Sequence, residues 1–237
     1  MKKLHRFIGD FDLSQTFIRV DDPEIFFQIT HVLKFKPGEL FVLCNGTTDE
    51  AVVVLDEIQK NFCMVQKQEV HENISEPERK VTLYASIIKA DHFELLAQKC
   101  TEVGLFQIVP VISHRTVKLG LRETRIFKIM QEAAEQSGRA RIPNLLEIMS
   151  FAEALKHSQG NEKNFFLDID AKAPHLQTFQ NAVFQTAGIF IGPEGGFEAR
   201  EQKQALEAGC VLTTLGPLVL RAETAAIISS YLLVTQL

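Results

Sequence analysis

The sequence predicts an α/β protein: a mostly parallel sheet covered by helices, preceded by a smaller β-rich domain. Three observations predict it. Residues 1–70 read as short strands joined by tight turns. After a polar stretch at 71–80, strands and helices alternate to the C-terminus, the pattern of a parallel sheet buried on both faces. Two late apolar runs then stop abruptly in glycine-containing loops, as strands do at the ligand-binding edge of an open α/β sheet.

The N-terminal strands are expected at Arg6–Phe11, Thr16–Val20, Leu40–Cys44, Ala51–Ile58 and Phe62–Val70, all rich in β-branched or aromatic residues. Asn45-Gly46 is a strong turn signal between two of them. A short helix over Pro23–Leu33 interrupts the series, and so many short strands suggest a small barrel. We set this domain at 1–72, a linker at 73–80 and the α/β domain at 81–237.

In the second domain Val81–Ile88 is a strand, and Asp91 with Glu94 is the expected N-cap pair of a helix that Gly104 ends. Phe93, Leu96, Cys100 and Val103 share one face of that helix. Phe106–Ile112 is the next strand. Arg122–Ser137 is a helix with Ile126, Ile129, Met130 and Ala133 inward, stopped by Gly138. Leu145–Ile148 is a short strand, and Ser150 with Glu153 caps another helix. Phe165–Asp168, Gly188–Ile191 and Val211–Leu215 are strands; Glu198–Ala208, closed by Gly209, and Glu223–Gln236 are helices. The last helix is apolar nearly all round and must be buried, which at a chain end suggests a symmetry mate.

Composition narrows the class. A chain of 237 residues fits one large or two small domains. No apolar run approaches the ~20 residues of a membrane span, and no signal-peptide core follows the basic start, so a cytoplasmic location is expected. Cys44, Cys63, Cys100 and Cys210 form no CxxC pair and read as reduced thiols; the seven histidines show no ligand spacing, so no metal is expected. A net charge of −5 argues against a surface coated for nucleic acid, but leaves room for a local basic face. Lys2, Lys3, His5, Arg6, Lys34, Lys36, His114, Arg115, Arg139 and Arg141 are its candidates.

Chemistry concentrates between 188 and 225. The run Gly188-Ile189-Phe190-Ile191 stops at Gly192-Pro193-Glu194-Gly195-Gly196-Phe197. The run Val211 to Leu215 stops at Gly216-Pro217 and leads into Leu218-Val219-Leu220-Arg221-Ala222-Glu223-Thr224-Ala225. Glycines without a β-carbon let a ligand approach the backbone. The first loop lacks the Lys-Ser/Thr ending of a P-loop and the GxGxxG spacing of a dinucleotide site. Glu194 there would repel a polyphosphate and suits a cationic or adenosine-like ligand. Arg221 and Glu223 put a fixed cation and a carboxylate beside the same crevice, and the helix start offers backbone N–H groups to ligand oxygens.

These two segments together resemble the closing signature of the ribosomal RNA small subunit methyltransferase E family, SPOUT-class enzymes that use S-adenosylmethionine. Gln98–Gly104, His114-Arg115-Thr116, Glu132–Arg139 with Arg141 and Pro143, and His5-Arg6-Phe7 are similar to the family's upstream segments, in the same order over nearly the whole chain. The resemblance implies a PUA-like N-terminal barrel, a C-terminal trefoil knot and a homodimer formed through C-terminal helices. It also implies methylation of N3 of one uridine in 16S ribosomal RNA within the small ribosomal subunit. The chain departs from the family at Lys34, where His-Val-Leu-Arg is usual, at Ala90, where Lys-Gly-Asp is usual, and at Gly216-Pro217, where an arginine is usual after the glycine.

The roles expected from this are as follows. Arg221 stabilises the charge that develops on the pyrimidine, and Glu223 or Glu194 orients groups around it. Leu167, Ile191, Gly192, Pro193, Gly195, Gly196, Leu215, Gly216, Leu218, Leu220, Thr224 and Ala225 hold S-adenosylmethionine. Arg6, Lys34, Arg115, Arg139 and Arg141 meet RNA phosphates. Two other readings stay open: a related methyltransferase acting on transfer RNA or a ribose 2′-hydroxyl, and a non-catalytic ribosome-assembly factor.

Overall fold

The computed structural model describes residues 4–117, 120–169 and 172–235; Lys2, Lys3 and Gln236 lie outside the described residues. The chain forms two compact units. The first takes Met1–Glu76 together with Ala134–Ile142, and the second takes Pro77–Ala133 with Pro143–Leu237. The expected linker is not a free stretch. Asn73 is buried, its amide donating to Glu50 and to the carbonyl of Gly138, and Glu76 accepts from Arg139. The segment 134–142 therefore belongs with the N-terminal unit, a long-range pairing no local pattern announces.

The first unit is a five-stranded sheet of β1 (Arg6–Ile8), β2 (Phe17–Val20), β3 (Leu40–Cys44), β4 (Asp49–Ile58) and β5 (Cys63–Glu72), in the order β1-β3-β4-β5-β2. β1 runs parallel to β3 and the other pairs are antiparallel. The core packs Phe7, Phe41, Leu43, Val53, Leu55 and Val65 against Ile25 and Ile29. Those two come from α1 (Pro23–Phe27), capped by Asp22, and from a π-helical turn over Gln28–Val32 that continues it. Where one helix to Leu33 was expected, the winding thus changes at Gln28, and Lys34 follows with a left-handed φ of 55°.

The second unit carries β6 (Lys80–Ser86), α2 (Ala90–Glu102), β7 (Gln107–Ile112), α3 (Glu123–Ser137), β8 (Asn144–Leu145), β9 (Met149–Ser150), α4 (Phe151–Ser158), β10 (Lys163–Leu167), β11 (Thr186–Ile191), α5 (Ala199–Glu207), β12 (Val211–Thr213) and α6 (Ala222–Val234). The last four residues of α3 belong to the first unit. The sheet runs β12-β10-β11-β6-β7-β8, with β9 also on β7, and every pair is parallel. Tyr84, Val109, Val111, Phe166 and Phe190 form a core with Phe151, Ala154 and Leu155 of α4 and Ala205 of α5. α6 packs on β6, β11 and α2.

Local chemistry explains most boundaries. α2, α3 and α5 end where Gly104, Gly138 and Gly209 take positive φ, and the next amide returns to Cys100, Ala134 and Ala205 respectively, closing each final turn. Ser150 and Glu153 form the expected capping box of α4. The single strand expected over Leu145–Ile148 is instead β8 and β9, pairing with β7 on either side of Val109-Pro110; Pro110 has no N–H to offer a ladder. Asp91 and Glu94 do not cap α2. Lys89 holds that place without a side-chain bond, Asp91 sits in the first turn on Lys89 Nζ (2.8 Å), and Glu94 takes Arg125. An anion in the first turn still suits the helix dipole. All four cysteines are buried and free of disulfides, and burial pushes the Cys100 thiol up to about 12. No helix among the described residues is long and apolar enough to cross a membrane, and no cluster of three His, Cys, Asp or Glu among them could hold a metal ion.

Candidate functional site

β12, β10 and β11 are neighbours in the sheet, and each ends at its carboxyl edge in a loop that reaches the same cavity. β10 hands over at Leu167 to Asp168 and Ile169, β11 at Ile191 to 192–197, and β12 at Thr213 to 214–221 and the start of α6. The cavity they enclose measures about 750 Å³, within the usual range for small-molecule sites.

The glycine loop folds back on itself. The Gly196 amide donates to the Pro193 carbonyl (2.8 Å), and Gly196 takes a φ of 68°, a conformation strained for any side chain. Gly192 lies under the ring of Phe197, which an added β-carbon would meet at 3.1 Å. Phe197 itself packs into the core with its ring tilted 35° against that of Phe166, centroids 4.4 Å apart, so the loop is anchored from below.

α6 begins with Arg221 at its N-cap, and no side chain caps the first turn. Its first intrahelical bond runs from Ala225 N–H to Arg221 C=O (2.9 Å), so the preceding N–H groups have no helical acceptor. Arg221 is exposed on the cavity wall, while Glu223 is buried, 7% exposed, on the same wall. Glu194 is exposed on the glycine loop.

The wall contains Arg221, Glu223, Glu194 and all but one of the residues expected to hold a donor. The exception is Thr224. At about 100° per residue it points away from the side shared by Ala222, Glu223 and Ala225, which do line the cavity. Sequence reasoning missed Asp168, Ile169, Phe197, Thr214, Val219 and Ala222, which extend segments already singled out, and His92, which reaches the wall from the first turn of α2 and carries no local signal.

The five basic residues do not form one class. Lys34 is exposed. Arg115 also lies on the cavity wall, with Nη1 donating to the Gly195 carbonyl (2.6 Å). Arg6 and Arg139 are not surface groups. Arg6 is ion-paired with Glu50, and Arg139, only 4% exposed, with Glu76 (3.0 Å). Burial favours that outcome, because a buried guanidinium needs a carboxylate nearby. Arg141 is half-buried; burial lowers its pKa, and Glu76 works the other way.

The carboxyl-edge cavity, with its glycine loop, uncapped helix start and mixed set of charges, lies wholly within residues 75–234, which match the RNA methyltransferase domain family. The chain is 30% identical to the ribosomal RNA small subunit methyltransferase E of Bacillus subtilis over 211 residues, 83% of this chain and 82% of that one. It belongs to the ribosomal RNA small subunit methyltransferase E family. Its fold matches the crystal structure of that enzyme from Neisseria gonorrhoeae bound to S-adenosylmethionine, with a TM-score of 0.85, 29% identity and coverage of 96% and 95% of the two chains. A Legionella pneumophila structure, also with S-adenosylmethionine bound, matches with a TM-score of 0.87, 26% identity and coverage of 98% and 97%.

Proposed function

We propose that this protein methylates N3 of a uridine in 16S ribosomal RNA of the small subunit, with S-adenosylmethionine as donor. The observation that carries this is the cavity at the ends of β10, β11 and β12, with Arg221 and Glu223 on one wall. The residues present fit the donor. Leu167, Ile191, Leu215 and Leu220 would hold its adenine against apolar surface. The free N–H groups at the start of α6 suit its carboxylate. Asp168, Glu194 and Glu223 supply the negative charge that a cationic donor calls for. When bound, S-adenosylmethionine supplies a methyl group activated on a sulfonium.

The chain's residues then have three tasks. The loops 192–197 and 214–221 fix the donor so that its methyl and the acceptor nitrogen are held in line, an orientation effect worth several kcal/mol. Uracil N3 is a poor nucleophile while protonated, so its anion must be stabilised. Arg221, exposed at the wall, places a permanent cation for the charge spread over N3, O2 and O4. Glu223 or Glu194 orients groups around that centre. The target base must leave its stack to reach the cavity, as is general for chemistry on a base.

Lys34 and Arg115 are exposed and keep the role of phosphate contacts, with Arg141 beside them in kind; Arg6 and Arg139 act from behind, by holding Glu50 and Glu76. In this reading the first unit is a PUA-like barrel, supported by its five-stranded, mostly antiparallel sheet, and the 192–197 and 214–221 loops belong to a trefoil knot, supported by three adjacent strands ending at one cavity. α6 forms a homodimer interface, and the protein works in the cytoplasm, where small subunits assemble.

The test is to incubate small subunits lacking the modification with protein and labelled donor and to map the label. Label at N3 of one uridine is expected; label on a ribose, on transfer RNA alone, or nowhere rejects the reading. Arg221→Ala should retain donor affinity and lose about 10²–10³ in turnover, the usual cost of one charge-stabilising group.

A further inference from the structure

The glycine loop of the cavity is tied to a second loop by a buried carboxylate that no motif announced. Glu201 lies in the first turn of α5 and is 6% exposed. Its two oxygens serve two different segments. Oε2 accepts the backbone N–H of Glu198 (2.8 Å), directly after the glycine loop. Oε1 accepts the backbone N–H of His114 (2.8 Å), in the loop that follows β7. Around this centre the same two loops make further contacts. Glu198 meets His114 Nδ1 (3.0 Å) and lies 3.7 Å from Arg115 Nε, and Arg115 Nη1 reaches the Gly195 carbonyl (2.6 Å).

These contacts differ in strength. The His114, Arg115 and Glu198 side chains are 70%, 50% and 33% exposed, so their ion pairs are screened and worth little alone. The two bonds to Glu201 are partly buried, at a carboxylate that is itself buried, and charge-assisted, the strong kind. Their loss would leave two amides and a buried carboxylate short of partners. Glu201 is therefore the fixed point, and Arg115 is set by it. With His114 N–H held, Arg115 is placed where its guanidinium closes on Gly195.

We propose that Glu201 is a positioning residue for donor binding: it locks the loop after β7 to the glycine loop, and through Arg115 sets the shape of the cavity wall at Gly195. This rests on the reading of the cavity as the S-adenosylmethionine site. Glu201 touches no ligand itself, since it does not line the cavity.

The geometry points to one substitution. Glu201→Gln keeps the size but replaces one oxygen by an amide NH₂, which would face a backbone N–H and repel it. Titration calorimetry with S-adenosylmethionine, and hydrogen exchange of the 192–198 amides in the ligand-free protein, read the effect without any turnover. For Glu201→Gln we expect the donor Kd to rise about tenfold or more, the size of one lost charge-assisted bond, with faster exchange at Gly195 and Gly196. Glu207→Gln, on the exposed last turn of the same helix, should change neither. If Glu201→Gln proves too unstable, Arg115→Ala carries the same donor and exchange readouts at an exposed position. Wild-type donor affinity and exchange in the folded Glu201→Gln protein would overturn the proposal. A wild-type protein that does not bind the donor at all would instead reject the reading of the cavity, while faster loop exchange in Glu201→Gln would still support the lock.

Discussion

Glu50 accepts hydrogen bonds from three side chains at once, those of Arg6, His71 and Asn73, while only 6% exposed. Burial alone would push its pKa up, but the bonds from Arg6 and Asn73, the Arg6 charge and the bond to His71 outweigh it and hold the carboxyl below its ordinary value. Its folded-state pKa is therefore lower than its unfolded one. The stabilisation is present above the unfolded value, near 4.3, and is lost as pH falls through the folded value. At neutral pH, Glu50→Gln should cost about 1–3 kcal/mol, because the half-buried Arg6 loses its carboxylate partner. In urea unfolding, the gap between wild type and Glu50→Gln should narrow as pH drops below about 5. A gap that stays constant down to pH ~3 would show that the carboxylate is not what the site depends on. The same residue scale separates Arg6 and Arg139, which are paired with glutamates, from Lys34 and Arg115, which are exposed. An arginine in sequence carries no mark of whether its partner is a phosphate or a distant glutamate.

At the scale of elements, α6 depends on a residue far from it in the chain. Its last turn would leave carbonyls without acceptable donors. Arg79 supplies one, with Nη1 bonded to Leu233 O (2.9 Å), and also holds the carbonyls of Gln180 (3.2 Å) and Ala182 (2.8 Å). Its guanidinium lies 4.0 Å from the centre of the Phe184 ring. Among the described residues no carboxylate is hydrogen-bonded to it; carbonyls and a ring face solvate the charge, and burial lowers its pKa. A cation at a helix C-terminus is favoured by the dipole as well. A planar fork is what reaches three carbonyls; lysine cannot reproduce it. Arg79→Lys should lose about 1–3 kcal/mol of stability in urea unfolding, whereas an unchanged midpoint would mean that these bonds contribute nothing. Arg79 lies in the stretch 73–80 that was expected to be a linker.

For the whole molecule, the question is what covers the outer side of α6. The helix buries Ala225, Ala226, Ser229, Ser230 and Leu233 within its own unit, yet leaves Ile228 38% and Tyr231 50% exposed. α2, which packs against it, leaves Leu95 41% exposed. Apolar groups on two packed helices suit the proposed homodimer, whose interface would repeat the same patch on both copies. Sedimentation should therefore show a dimer, and the double variant Ile228→Glu, Tyr231→Glu should sediment as a monomer with its thermal midpoint largely kept. A wild-type monomer, or an unchanged dimer in the variant, would discard this interface.

What the sequence by itself determined were the features governed by neighbours along the chain. The period of apolar residues set the strands and helices, glycines and a Ser-Glu capping box set where α2 to α5 start or stop, and two glycine-bearing runs marked the cavity with all but one of its expected wall residues. What only the tertiary structure decided were the pairings across distance. His92 reached the wall, Glu201 bound His114, Arg139 went to Glu76, Arg79 went to Leu233, and 134–142 joined the first unit. The physical reason is that helix, strand and turn energies are fixed by residues a few positions apart. A buried polar group instead takes whichever partner the folded chain brings within about 3 Å, and sequence separation does not enter that choice.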